Sequence, residues 1–136
     1  MATSGYSGTP LIKKLGILDT SKILLINPPS DYFELLEKDV KKLLARKGDL
    51  IDLVHLFVTS NNQFESEMRK LSTLCKANPS IVIWVSWYKK AAGIPTDITE
   101  DTIRNFALAH DLVDVKVCAV SEIWSGLKLV VPRSKR

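Results

Sequence analysis

The run "SIVIWVSWY" (Ser80–Tyr88) constrains this chain more than any other stretch. Successive side chains of an extended strand point to opposite faces. Here Ile81, Ile83, Val85 and Trp87 share one face, while Val82 and Trp84 stand on the other. A strand that is apolar on both sides belongs inside a sheet covered on both sides, which is the habit of parallel α/β sheets. The rest of the chain must therefore supply parallel neighbours and the helices that cover them.

The other segments supply them. "KILLIN" (Lys22–Asn27) is a short apolar strand halted by Pro28 and Pro29, and "LVHLFVTS" (Leu53–Ser60) is a second. Between them, "SDYFELLEKDVKKLLARKG" predicts a helix capped by Ser30 and ended by Gly48, with Tyr32, Leu36, Val40, Leu43 and Leu44 on one stripe. Ser60 and Gln63 form a capping-box pattern that opens a helix with Phe64, Met68, Leu71, Leu74 and Cys75 facing the core. A third helix follows Thr99, with Glu100 and Asp101 in its first turn and Ile103, Phe106 and Ala107 inward. "VDVKVCAV" (Val113–Val120) alternates like a half-exposed strand, "SEIWSG" reads as a turn, and "LKLVV" (Leu127–Val131) returns antiparallel. Near the start, "TPLIKKLG" predicts a short helix with Thr9 as N-cap, Pro10 in the first position and Gly16 just past the end.

This order predicts one α/β domain over residues 1–136, a Rossmann-like sheet of about five strands. The strands are expected to be mostly parallel with an antiparallel last strand, and the helices mainly on one face. Residues 1–9 read as a flexible arm and residues 133–136 as a frayed basic tail. Right-handed crossovers that all proceed in one direction put the three long helices on the same side. The second face then needs its own cover, expected from the helix around Leu11, Ile12 and Leu15 and from a partner subunit in a homodimer.

Charge and composition exclude several classes. The net charge of +4 comes from basic residues interleaved with acids, not a concentrated stripe, so nucleic-acid binding through the Lys-rich segment is the weakest reading. No apolar run approaches the ~20 residues that span a bilayer, and "MATSGYSGTP" lacks the features of a secretory signal. A cytoplasmic location without membrane contact is expected, with Cys75 and Cys118 as reduced thiols. These cysteines and His55 and His110 have no metal-site spacing, and no cofactor is expected.

In an open parallel sheet, ligands bind beyond the carboxyl ends of the strands. Asn27, Ser60, Trp87, Lys89, Lys90 and Asp97 fall there and would suit an anionic small molecule. Each also has a plain reading: Ser60 as a helix cap, the lysines as a solvated loop, and Asp97 as a cap or the partner of a loop lysine. A dinucleotide site needs a glycine-rich turn after the first strand, where this chain has Asn27-Pro28-Pro29. For nucleophilic catalysis there is no G-x-S-x-G elbow. His55 reads as a satisfied buried histidine and His110 as a helix C-terminal partner. Trp84 is expected in the core, Trp87 as the floor of a pocket, and Trp124 in the turn before the last strand.

Three stretches, "GYSGTPLIKKLGI" (Gly5–Ile17), "WVSWYKKAAGIPTDITED" (Trp84–Asp101) and "LVDVKVCAVSEIWSGLKLVV" (Leu112–Val131), resemble a bacterial family of small cytosolic domains of unknown function. The likeness is weaker from Asp31 to Lys47, and the family brings no activity that could assign a site residue. From Leu53 onward the architecture is also similar to the carboxyl half of class I methyltransferases, which implies strand order 1-2-3-5-4. The glycine-rich turn and acidic strand end that hold S-adenosylmethionine in that family are absent. The resulting expectation is a Rossmann-like binding or interaction module rather than an enzyme. The alternatives are a small enzyme or sensor for an anionic metabolite using the loop Lys89–Pro95, and a weak nucleic-acid binder.

Overall fold

The computed structural model describes residues 9–136; most of the expected arm, residues 1–9, lies outside the described residues. The strands are β1 (Ile23–Ile26), β2 (Leu53–Phe57), β3 (Val82–Tyr88), β4 (Val113–Ala119) and β5 (Trp124–Val130). The helices are α1 (Leu11–Leu15), α2 (Tyr32–Leu36), α3 (Asn61–Lys70), α4 (Ser72–Ala77) and α5 (Glu100–Ala109). They form an α/β Rossmann-like domain around one sheet of order β1-β2-β3-β5-β4. Strands β1, β2 and β3 run parallel, and β5 inserts antiparallel between β3 and β4.

Strand β3 holds the central position that its two-sided apolarity demands, with Ile83, Trp84, Val85 and Ser86 all inaccessible to solvent. On one face Val54, Leu56, Ile83, Val85, Leu127 and Leu129 pack with Phe64, Met68, Ile103 and Ala107 of α3 and α5. On the other face Leu53, Phe57 and Trp84 pack with Leu11 and Leu15 of α1 and with Tyr32 and Leu36 of α2. The chain covers both faces of β3 by itself, so its burial does not call for a second subunit. No helix among the described residues is long and apolar enough to cross a membrane.

The helix expected from Ser30 to Gly48 forms only as α2. Glu37 takes a left-handed conformation (φ 58°) that ends the helix, and a 3-10 turn follows at Lys41–Leu43. Asp39 Oδ1 accepts from the Lys41 N–H, a local bond that competes with helix continuation. Tyr32, Leu36 and Val40 nevertheless remain buried in one cluster, so the apolar stripe survives the break.

The expectation that all three long helices share a face is also overturned. Segment α2 lies against the α1 face, opposite α3 and α5. A direct β1–α2–β2 crossover on that side would have the disfavoured hand. The chain avoids it by first stepping outward. Leu44 forms a parallel bridge with Ile23, whose other side is paired with Leu53, so Leu44 lies on the outer edge of β1. The Ala45 N–H donates to the Ile23 carbonyl, fixing that position. A one-residue edge strand thus stands between β1 and β2 in chain order, and the chain then passes back to begin β2.

Two end features differ from expectation as well. Trp124 begins β5 instead of sitting in the turn; it is buried and stacks on Tyr88 with ring centroids 4.4 Å apart. Residues Arg133–Lys135 form a 3-10 turn in which Lys135 pairs with Asp111 at 3.5 Å.

Candidate functional site

Beyond the carboxyl ends of the parallel strands, the chain matches most of its own polar groups, although Asn61 Oδ1 is buried there without a partner among the described residues. Ser60 Oγ accepts from the Gln63 N–H, and Gln63 Oε1 accepts in return from the Thr59 N–H. Asp97 Oδ1 accepts from the Asn61 N–H at 2.8 Å, and the Asp97 carbonyl accepts from the Asn61 side-chain amide. The carboxylate of Asp97 therefore occupies the N-terminus of α3, where a bound anion would find free backbone donors. Thr96 Oγ1 adds a bond to the Thr59 carbonyl, fastening the loop across this end.

The other residues expected here diverge. Trp87 is buried in the cluster beneath α3 and α5. Asn27 is exposed, with a left-handed backbone (φ 55°) that ends β1. The Lys89 N–H donates to the Ile123 carbonyl, tying the end of β3 to the β4–β5 turn, while Lys90 begins a solvent-exposed 3-10 turn. Among the described residues neither lysine makes an ion pair, and Asp97 meets Asn61 instead of a loop lysine.

A polar string lies inside the α1/α2 face. Tyr32 Oη is 2.9 Å from His55 Nδ1, and His55 Nε2 is 2.7 Å from Ser86 Oγ. His55 and Ser86 have the hydrogen-bonded relation of a base and a nucleophile. Both are fully buried, however, and the ring stacks on Phe57 beneath Tyr32. Desolvation lowers the His55 pKa from 6.5 to about 3, so the ring is neutral and a weak base at neutral pH. The same burial pushes the Tyr32 phenol upward. Gly126 faces Ser86 across the sheet, and a Cβ there would come within 3.1 Å of Val120 and 3.3 Å of Trp84. This close packing leaves the string no approach for a substrate. It builds the core.

An open groove lies toward the opposite end of the sheet. A groove of about 710 Å³ runs between α3–α4 and the C-terminal end of α5. Met68, Leu71, Ile83, Leu112 and Val131 give it an apolar floor, with Phe106 as one wall. Along one side of it Leu71 separates α3 from α4, which the sequence presents as one continuous helical stripe. Cys75 is left half-buried, its thiol pKa raised by desolvation. His110 closes α5: its Nδ1–H donates to the Phe106 carbonyl at 2.8 Å, and its ring stacks on Phe106. Met68 and Leu71 are buried in the core, as their spacing predicts, with Cys75 packed against it, and all three also line the groove. Their helical spacing carries no sign that the facing helix stops short of them.

Among the described residues, no group of three or more His, Cys, Asp or Glu side chains is placed to hold a metal ion. Both cysteines are free thiols.

No protein-family model and no curated protein matches the chain. Solved structures do. A protein of the NADB-Rossmann superfamily from Streptococcus agalactiae aligns over 94% of this chain and 70% of its own, with TM-score 0.56 and 10% identity. An uncharacterized protein from Listeria monocytogenes serotype 4b aligns over 94% of this chain and 69% of its own, with TM-score 0.57 and 9% identity. At these identities the likeness is one of fold, and it carries no site across.

Proposed function

We propose that this chain is a small-ligand binding module built on a Rossmann-like sheet, with its site in the groove between α4 and α5. The observation that carries this reading is a contrast between the two ends of the sheet. At the carboxyl end Asp97 already fills the α3 N-terminus, whereas the α4–α5 end leaves about 710 Å³ open over an apolar floor. That volume lies within the range of small-molecule pockets, which are mostly apolar with a few placed polar groups. A fragment screen followed by backbone amide shifts tests the reading. Hits are expected to move Leu71, Cys75 and Leu112 together. Hits that instead gather at Asn27, Thr59 and Lys89 would overturn it.

One observation favours a second reading, an anionic metabolite bound by the loop Lys89–Pro95. Lys89 and Lys90 leave the end of β3 with no ion pair among the described residues. This reading requires phosphorylated or carboxylated compounds to raise the melting temperature, and the rise to vanish in Lys89→Ala and Lys90→Ala.

A further inference from the structure

The charges around the groove differ in whether they are already matched. Arg69 is paired with Glu65 at 3.0 Å and Lys135 with Asp111 at 3.5 Å. Lys76, in the last turn of α4, lines the groove and makes no ion pair among the described residues. The negative end of α5 also faces this region, and by itself would repel an anion. Two of its last carbonyls are already engaged, however. The Ala107 carbonyl accepts from the N–H groups of His110 and Leu112, and the Phe106 carbonyl accepts from the His110 ring. Among the charged side chains that line the groove, the one left without an ion pair is therefore a cation.

We infer that the groove takes an amphipathic anion: a hydrocarbon or aryl body on Met68, Leu71 and Ile83, with a single acidic head group held by Lys76. This inference rests on the groove being the ligand site. It adds the chemical class. A neutral molecule of the same shape would bury the same apolar area but would leave Lys76 unmatched, and a cationic one would meet it directly. The head group stays near solvent, because Lys76 is exposed. The charge preference should therefore be moderate and should weaken with salt.

The test uses three probes with the same ten-carbon tail, decanoate, decanol and decyltrimethylammonium, each below its micelle concentration and added to the full chain. Binding is read from the amide shifts of Leu71, Cys75 and Leu112. Decanoate is expected to bind about three- to fivefold more tightly than decanol, the factor that one exposed charge pair supplies. Decyltrimethylammonium should be the weakest. The surface variant Lys76→Glu should erase the preference for decanoate while decanol still moves the same groove amides, a readout that general unfolding would not produce. Equal affinities for decanoate and decanol would overturn the anion inference and leave the groove reading standing. If none of the three probes moves the groove amides, the groove reading itself falls.

Discussion

On one face of the sheet, Val54, Leu56, Ile83 and Val85 meet Phe64 and Ile103 in a cluster built only of apolar residues. On the other, the same two strands present Ser86 and His55, with His55 bonded to Ser86 through Nε2 and to Tyr32 through Nδ1. The two faces share one backbone, so they differ mainly in what has to be satisfied. The apolar face depends on filled volume, and its groove shows that it tolerates an open end. The polar face depends on each buried donor and acceptor finding its partner, and on His55 remaining uncharged. The first should respond to truncation at any pH. The second should respond to protons.

The largest expected effect is on the apolar face. Phe64 is fully buried and packs edge-on to Phe106 at 5.1 Å. Phe64→Ala should lower stability by about 3–5 kcal/mol in denaturant unfolding. Because the cavity it leaves carries no titrating group, the loss should be the same at pH 7 and pH 5. A loss that changed with pH would show that the two faces are energetically coupled.

Acid should act through the polar face. The His55 pKa lies near 3 in the folded chain against 6.5 for a solvated ring. The unfolded chain therefore takes up a proton as pH falls through 6.5, and the folded chain does not until about pH 3. The stability contributed by the neutral ring is whole above pH 6.5. Below that it declines by ~1.4 kcal/mol per pH unit toward pH 3. His55→Gln keeps a donor and an acceptor but has no proton to gain, so its stability should lack this increment of slope between pH 6 and pH 4. Parallel pH profiles for the wild type and His55→Gln would remove His55 as the cause. Ser86→Ala asks less of the same face. It leaves His55 Nε2 buried without its partner and should cost about 1–3 kcal/mol at pH 7, measured by urea unfolding.

The contrast between faces was partly legible in the sequence. Strand β3 announced both covered faces through Ile83 and Trp84, and the alternating "VDVKVCAV" announced a half-exposed strand. His55, a lone histidine within an apolar strand, read as buried and satisfied. The sequence did not reveal on which side α2 would lie, since Tyr32, Leu36 and Val40 keep helical spacing whether or not the chain bends at Glu37. The bend matters because it lets Leu44 reach the outer edge of β1, and a one-residue bridge leaves no periodicity to detect. The groove was hidden for a related reason. A gap is a property of where α4 and α5 end relative to each other, and each helix taken alone shows an ordinary apolar stripe.

The smallest expected effect concerns how the polar face is closed. Part of its cover, α1, is a short helix ended by Gly16 in a left-handed conformation (φ 78°) and pinned where the Trp84 indole N–H donates to the Leu15 carbonyl at 2.9 Å. A Cβ at Gly16 would meet nothing within 4 Å, so Gly16→Ala isolates the backbone cost of that conformation, about 1 kcal/mol. A short lid with few anchors should open locally before the sheet does. In Gly16→Ala the Trp84 indole proton should then exchange about fivefold faster, while the amides of Val54 and Leu56 under α3 keep their wild-type rates. If all three rates rise together, α1 opens only with the whole domain. The polar face would then be sealed as cooperatively as the apolar one, despite its thinner cover.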